Sequence, residues 1–353
     1  MNSKYLKFSD SINNALDLAM KKDKKVIILG LGVDDPKRIF NTTQNLKEKY
    51  GKRRVFDMPT AENSMTGIAI GCSLEGYKPV ISHQRVEFSL LAMEQIINQA
   101  AKWNYMNAGQ MSVPIVIRLI IGRGWGQGPQ HSQSLESLFA HIPGLKVISA
   151  SNAYDAKGLL LSSIEDKNPV IFFEHRWLHQ TISKVPKKYY KLPIGKAKIV
   201  NRGKGLTIVS NSIMTVEAIK SLSILKKYSI NPEIIDLRSI RPLDKKTILS
   251  SVKKTKRILV IDNGWTSFGI SSEIISIVTE NLNNILQSKP VRIGINDSPI
   301  PSSRALAQYC YPGVNQIIKE VLKIMNKKLN KKDLIKLPLN KTDVPDQDFK
   351  GPF

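Results

Sequence analysis

The chain has few cysteines and no long apolar run. Its 353 residues contain two cysteines, Cys72 and Cys310, which is too few for a disulfide framework and is typical of a reducing compartment. No apolar stretch approaches the ~20 residues that cross a bilayer. The first residues, Met1 to Lys7, also lack the apolar core of a signal peptide. We therefore expect a cytoplasmic protein with no membrane partner.

Acidic side chains are scarce. The chain has 29 Asp and Glu against 53 Lys and Arg, a formal net charge of +24. Clustered basic groups would favour nucleic acid, because they release counterions from phosphates. Here the lysines are dispersed in short runs, such as 21–25 and 327–332, and no zinc-finger, RNA-recognition or basic-zipper motif accompanies them. We expect no nucleic-acid partner, and a Lys-biased proteome or a more acidic partner chain explains the charge better.

Strand-like and helix-like segments alternate along most of the chain. The predicted strands are 25–32, 78–83, 113–121, 145–149, 169–174, 206–210, 232–237, 257–262 and 291–295. The predicted helices are 62–75, 88–106, 131–140, 154–165, 213–227, 245–252, 269–280 and 303–325. Continuous apolar strands between helices predict an α/β fold with parallel sheets covered on both faces, that is, three α/β/α layers.

The chain is too long for one core, since single cores seldom exceed about 250 residues. Lys, Pro and Tyr interrupt the alternation after residue 180. We predict an α/β domain over 1–180, a linker over 181–200, a second α/β domain over 201–326 and an extended C-terminal tail over 327–353.

One carboxylate occupies an unusual position. Glu62 follows a short apolar strand and a Pro turn, and it opens a helix of small apolar residues in Asp57-Met-Pro-Thr-Ala-Glu-Asn-Ser-Met-Thr-Gly-Ile-Ala-Ile-Gly. A carboxylate there can accept hydrogen bonds from the free amides of the first helical turn. It can also act as an acid or base in a pocket. Position alone leaves both interpretations open.

Further motifs follow in order. Phe88 opens Phe-Ser-Leu-Leu-Ala-Met-Glu-Gln-Ile-Ile-Asn-Gln-Ala-Ala-Lys, and Gly128 opens Gly-Pro-Gln-His-Ser-Gln-Ser. Later come Ile235-Asp-Leu-Arg-Ser-Ile-Arg-Pro-Leu-Asp and Phe268-Gly-Ile-Ser-Ser-Glu-Ile. Together with the Glu62 motif, this series resembles the beta subunit of thiamine-diphosphate-dependent 2-oxo acid dehydrogenases of the pyruvate, branched-chain and acetoin type. The resemblance covers roughly residues 5 to 325.

The resemblance implies a pyrimidine-binding transketolase-like domain followed by a transketolase C-terminal-like domain. It implies oxidative decarboxylation of a 2-oxo acid, with acyl transfer to a lipoyl group or another acceptor. The Gly-Asp-Gly motif that holds Mg²⁺ and the diphosphate is absent from all 353 residues. An alpha subunit is therefore expected to carry that half of the site. The family also implies a second beta subunit in an alpha2beta2 assembly and a lipoyl-bearing acyltransferase core.

The resemblance also assigns roles to residues. Glu62 matches the carboxylate that hydrogen-bonds the pyrimidine ring, and Phe88 matches the aromatic ring stacked on it. Gln84 is expected to contact the cofactor. His131 follows a glycine-rich loop and can transfer protons near neutral pH. The alternative for Phe88 is a core ring, and for His131 a turn residue bonded to backbone.

The segment before Phe88 departs from the family pattern. Polar residues replace the usual Phe and Met, which places His83, Gln84, Arg85 and Glu87 near the expected pocket mouth. This departure favours an unusual substrate or altered partner contacts. The alternative is a solvated turn in which Arg85 pairs with Glu87 or with a neighbouring chain.

Family members also hold a structural K⁺ through main-chain oxygens. The matching positions here are Ile115, Ser163, Ile164, Asp166 and Asn168.

Two other functions remain open. One is half of a split transketolase or deoxyxylulose-phosphate synthase, although those families usually show Gly-Ile-Ala-Glu-Gln around the acid. The other is a non-catalytic pairing subunit, against which Glu62, Phe88 and His131 together argue.

Overall fold

The computed structural model describes residues 3–35, 38–122 and 126–334, apart from the side chain of residue 308. The strands are β1 (Ser3–Lys7), β2 (Val26–Gly30), β3 (Val55–Asp57), β4 (Lys78–His83), β5 (Val116–Ile121), β6 (Lys146–Ser149), β7 (Val170–His175), β8 (Ile182–Pro186), β9 (Lys198–Asn201), β10 (Thr207–Ser210), β11 (Glu233–Asp236), β12 (Ser239–Arg241), β13 (Ile258–Trp265) and β14 (Val291–Ile295).

Helices connect most of these strands. They are α1 (Phe8–Lys22), α2 (Arg38–Asn41, a left-handed turn), α3 (Leu46–Tyr50), α4 (Glu62–Leu74), α5 (Ala101–Met106), α6 (Glu136–Ala140), α7 (Ala153–Ile164), α8 (Ser212–Leu225), α9 (Lys245–Thr255), α10 (Ile270–Leu282), α11 (Arg304–Cys310) and α12 (Val314–Ile324). Short 3₁₀ helices are Phe88–Ala92, Arg176–Leu178, Lys226–Tyr228, Asn283–Ile285 and Lys331–Asp333, and Gln95–Ala100 is a π-helix.

The described residues form three sheets: a two-stranded sheet of β1 and β8 and two larger ones. The larger has the order β12-β6-β7-β5-β4-β2-β3 and is parallel except for β12. The smaller has the order β14-β13-β10-β11-β9 and is parallel except for β9. Strands such as β2, β5 and β7 are buried along their whole length, because helices cover both faces.

The apolar core has two layers, one on each face of the sheets. Alternate residues of one strand enter different layers, as Ile28 and Leu29 of β2 do. Helices α1, α7, α8 and α12 close the first layer, and α4, α6, α9 and α10 close the second. The predicted α/β fold with three layers is confirmed in both halves of the chain.

Four short strands were not predicted. The separate two-stranded sheet of β1 and β8 has only two buried residues, so it lacks an apolar pattern, and β8 lies inside the predicted linker. β9 runs antiparallel along the edge of the smaller sheet. β12 comes from the second half of the chain but pairs with β6 of the larger sheet. This last pairing joins the two halves.

Three predicted helices differ in the structure. The helix over 303–325 is two helices, because Pro312 disfavours helical geometry at Tyr311, which is extended (φ −88°, ψ 120°). The helix over 131–140 begins only at Glu136. The helix predicted over 88–106 consists of a 3₁₀ helix, a π-helix and α5 in succession, and the π-helix lies beside α4. The predicted tail beyond residue 334 lies outside the described residues.

Candidate active site

A cavity of about 360 Å³ opens at the carboxyl edge of the larger sheet. Its lining comes from the segments that follow β2, β3 and β4 and from the start of α4. The chain leaves β2 toward β3 on one side and continues through β4 and β5 on the other. The cavity therefore lies where the strand order reverses, the usual ligand position in parallel α/β sheets.

Backbone contacts between strand ends shape this edge. Met58 N donates to Gly30 O (3.0 Å), and Leu31 N donates to Ser82 O (3.1 Å). Gly30 has a φ of +143°, and a Cβ there would collide with the backbone of Ser82. Glycine is therefore required for β2 to approach β4 this closely.

Glu62 is the first residue of α4 and lines the cavity. Its side chain is 6 % exposed. Ala61 occupies the N-cap position, and within the described residues no donor forms a hydrogen bond to the Glu62 carboxylate. The carboxylate thus does not act as a cap. It stands at the positive end of a helix dipole with free lone pairs toward the cavity.

Phe88 and Gln84 also line the cavity, and His131 lies next to Phe88. The rings of Phe88 and His131 meet edge to face, with centroids 5.6 Å apart. Gln84 follows β4, and its amide occupies the space that a side chain at Gly32 would fill. The structure therefore brings the four predicted residues Glu62, Gln84, Phe88 and His131 to one end of the sheet.

His83 and Arg85 are enclosed by protein. His83 is completely buried at the end of β4, and its Nε2 lies 3.5 Å from Thr66 Oγ1. Burial lowers the pKa of His83 to about 4, because no nearby charge compensates for the lost hydration. A histidine with this pKa is neutral at physiological pH, and it does not line the cavity.

Arg85 points away from the cavity, toward the loop that carries His131. Its Nη1 donates to His131 O (3.1 Å), and its Nη2 donates to Gln127 Oε1. Glu87 accepts a hydrogen bond from Gln133 N (2.7 Å). Burial raises the pKa of Glu87 and lowers the pKa of Arg85.

Sequence reasoning missed part of the lining. The additional lining residues are Leu31, Gly32, Asp35, Asp57, Met58 and Thr60. A signal existed for them. Leu31 and Gly32 end the predicted strand 25–32 and Asp35 follows it, and the other three lie at or after the end of the short apolar strand before Glu62. Carboxyl ends of parallel strands share one edge of a sheet. Their roles could not be assigned from side-chain type alone.

The five positions matched to a K⁺ site lie together at the opposite, amino edge of the sheet. Ser163 and Ile164 end α7, Asp166 and Asn168 follow it, and Ile115 precedes β5. Ile115 O already accepts a hydrogen bond from Val170 N (2.9 Å), and Ser163 O accepts one from Asp166 N (3.2 Å). The carboxyl end of a helix favours a cation. Across the described ranges there is no cluster of three or more His, Cys, Asp or Glu side chains that could hold a metal ion.

No helix within the described residues is long and apolar enough to cross a membrane.

Comparison with family models divides the chain in two. Residues 4–180 match the pyrimidine binding domain of transketolase, and residues 195–317 match the transketolase C-terminal domain. A solved structure described as a split gene transketolase, an inactive beta4 tetramer, superposes with a TM-score of 0.74 and 21 % identity. It covers 91 % of this chain and 99 % of its own. This likeness shows the shared two-domain fold.

Several curated relatives align over nearly the whole chain. The mitochondrial pyruvate dehydrogenase E1 component subunit beta of Pisum sativum is 41 % identical, over 90 % of this chain and 89 % of its own. The corresponding subunit of Porphyra purpurea is 40 % identical, over 90 % and 96 %. That of Acholeplasma laidlawii is 38 % identical, over 89 % and 96 %.

Proposed function

The chain belongs to the beta-subunit family of thiamine-diphosphate-dependent 2-oxo acid dehydrogenases, with both transketolase domains present, and from this premise we propose that it supplies the pyrimidine-binding half of a shared active site. One observation carries the proposal. Glu62 is only 6 % exposed, and its carboxylate, which accepts no hydrogen bond among the described residues, borders a cavity beside an aromatic ring. A carboxylate with free lone pairs at a cavity suits a ligand that brings its own hydrogen-bond donors.

The residues at the cavity fit an aminopyrimidine ring. Thiamine diphosphate supplies, when bound, the carbanion and electron sink that decarboxylation of a 2-oxo acid requires. Glu62 would hold a proton at a pyrimidine ring nitrogen, and Phe88 would pack its ring on the pyrimidine face. Gln84 would hydrogen-bond the ring substituents. His131, beside Phe88, would exchange protons with the substrate.

An alpha subunit would complete the site. The sequence has no Gly-Asp-Gly, so the Mg²⁺ and diphosphate ligands would come from that partner. Exposed apolar side chains support such a partner: Ile68, on the helix that Glu62 begins, is 50 % exposed, and Leu91, on the neighbouring 3₁₀ helix, is 68 % exposed. Two alpha and two beta subunits would form the assembly.

The substrate would be a small 2-oxo acid of the pyruvate class, in line with the names of the relatives. The polar segment before Phe88 had suggested an unusual substrate. In the structure only Gln84 of that segment's four polar residues lines the cavity. The departure therefore gives little reason to exclude pyruvate. The acyl acceptor would be a lipoyl group, carried by an acyltransferase core.

Two further assignments belong to the proposal. A structural K⁺ would bind main-chain oxygens at the end of α7, where four of the five matched positions meet.

The chain would work in the cytoplasm, a compartment that suits its two unpaired cysteines, Cys72 and Cys310.

Turnover of the reconstituted pair tests the proposal. The chain would be purified together with its alpha partner and supplied with thiamine diphosphate, Mg²⁺ and a panel of 2-oxo acids, with an artificial dye as electron acceptor. We expect dye reduction only when both chains are present, and most rapid with a small 2-oxo acid. Dye reduction by the alpha chain alone would exclude a catalytic role for this chain. Activity on sugar phosphates instead would favour the split transketolase alternative.

A further inference from the structure

The loop that carries His131 is held in place by a pair of charged residues on one short segment. This clamp segment comprises residues 84–88, between β4 and the 3₁₀ helix Phe88–Ala92. We propose that Arg85 and Glu87 are positioning residues that fix His131 against Phe88 for the reaction proposed above. The inference rests on that proposed function and assigns a task to residues that depart from the family pattern.

The clamp segment is itself firmly anchored. Val86 is completely buried, and its N donates to Ile120 O of β5 (2.9 Å). Ser89 Oγ donates to Val86 O (2.6 Å), which closes the turn into the following helix. Val86 therefore fixes the backbone, and the side chains on either side of it project from a rigid base.

Arg85 forms hydrogen bonds to the part of the loop between Gly122 and His131. Its guanidinium donates to the carbonyl oxygens of His131 (3.1 Å) and Gly122 (3.5 Å) and to the side-chain oxygen of Gln127. These acceptors lie at both ends of the glycine-rich turn. The planar fork of arginine can reach several of them at once, whereas the single ammonium of lysine cannot do so in the same geometry.

Glu87 accepts a hydrogen bond from the part of the loop after His131. Its Oε1 accepts from Gln133 N (2.7 Å), two residues after His131. The second half of the chain adds a contact from the other side, where Asn263 Nδ2 donates to Ser134 Oγ (2.8 Å). His131 thus lies between two anchored points, and its ring meets Phe88 at 5.6 Å.

The cost of burying these charges supports a role beyond filling space. Arg85 is 6 % exposed, yet its hydrogen-bond acceptors within the described residues are neutral oxygens. Apolar residues of similar size would fill the same volume without desolvating a cation. What the guanidinium and the carboxylate add is a fixed position for a loop that is otherwise rich in glycine.

The test is a mutant cycle in the reconstituted complex of this chain with its alpha partner. The variants are Arg85→Met, Glu87→Leu, Glu87→Gln and His131→Ala, together with the double variant Arg85→Met/His131→Ala. The matched control is Arg54→Met. Arg54 is half-buried, and like Arg85 it donates to three oxygens, here the main-chain oxygens of Met20, Asp23 and Val26, away from the cavity.

We expect Arg85→Met and Glu87→Leu to lower kcat by about 10- to 100-fold, because a displacement near 1 Å at a reacting group costs that much. Glu87→Gln keeps an acceptor oxygen and should stay within about threefold. Arg54→Met should lower the melting temperature to a similar degree without changing kcat. Added to His131→Ala, Arg85→Met should change kcat by less than about threefold, because its effect passes through His131.

Two results would overturn the inference alone. One is normal kcat in both Arg85→Met and Glu87→Leu while the wild-type complex turns over. The other is an undiminished Arg85→Met effect in the His131→Ala background. If Arg85→Met does not fold, the comparison of Glu87→Leu with Glu87→Gln decides in the same way. A wild-type complex without thiamine-dependent turnover would overturn the proposed function, and this inference with it.

Discussion

Replacing Glu62 with glutamine tests whether this carboxylate acts in catalysis or only stabilises the fold. The substitution keeps the size of the side chain but removes its ability to exchange a proton. The structure gives a small expected effect on stability, because no described donor bonds the carboxylate and Ala61 holds the N-cap position. The loss is limited to the attraction between a carboxylate and the helix dipole, about 0.3–1 kcal/mol.

The expected effect on turnover is much larger. Removal of a positioned acid or base costs about 10²- to 10⁴-fold in rate, which corresponds to roughly 3–5 kcal/mol of barrier. We therefore expect Glu62→Gln to reduce dye-linked turnover of the complex at least 100-fold. Its melting temperature should change by no more than a few degrees. The effect on catalysis should exceed the effect on stability several-fold in free energy.

Turnover and melting would be measured on the same preparations. Glu273→Gln is the control, since Glu273 also lies in the first turn of a helix, α10, but is exposed. Full activity of Glu62→Gln would refute the reasoning. Loss of assembly with the alpha partner, accompanied by normal activity per remaining complex, would instead support a non-catalytic pairing subunit.

Three further predictions concern packing and charge. Burial raises the pKa of Glu136 to about 7. The free energy of unfolding is therefore highest below about pH 4.5 and falls by up to roughly 3 kcal/mol as the pH rises to about 7. In Glu136→Gln the urea midpoint of unfolding should depend less on pH across that range, and an unchanged pH dependence would contradict this. Arg118 and Glu174 form a fully buried pair at 2.5 Å, so Arg118→Met should cost about 3–5 kcal/mol in denaturant unfolding. Adding Glu174→Gln should recover much of that loss, and strictly additive losses would argue against the pair. Phe88→Leu removes the aromatic ring proposed to pack on the pyrimidine, together with its contact with His131. The half-saturating concentration of thiamine diphosphate should rise roughly fivefold, which corresponds to a loss of about 1 kcal/mol of binding free energy. An unchanged value would exclude ring packing as a source of affinity.

The elements that sequence predicted well share one physical cause. Lys78–His83 and Val291–Ile295 were predicted with the bounds that the structure has. Both are short segments with β-branched residues among their buried positions, Val80 and Ile81 in the first and Ile293 and Ile295 in the second, so the local pattern and the buried environment agree. The helix that begins at Glu62 was predicted for the same reason, since a Pro turn and a run of small residues define its start.

Elements fixed by distant contacts could not be predicted locally. β12 has three residues and depends on β6, more than 80 positions earlier, for its hydrogen bonds. Residues 131–135 were predicted as helix, but their backbone and side chains bond to Arg85, Glu87 and Asn263 instead. Tertiary contacts outweighed helical preference there.

In the candidate site, too, residues within motifs were predictable and contacts between distant residues were not. Glu62, Phe88 and His131 were identified through motif order, and the structure brings them to one edge of the sheet. The destination of Arg85 was not predictable, because its acceptors lie 37 to 46 residues further along the chain. A charged side chain in sequence shows that a partner is required but not where it lies.

Titration of thiamine diphosphate with Mg²⁺ by calorimetry tests the central claim most directly. It would be carried out on this chain alone, on the alpha partner alone and on the two together. A site shared across the interface predicts tight binding only to the pair, with binding weakened by Glu62→Gln. Tight binding to the isolated chain would contradict the shared site, and no binding to any of the three would contradict the thiamine assignment itself.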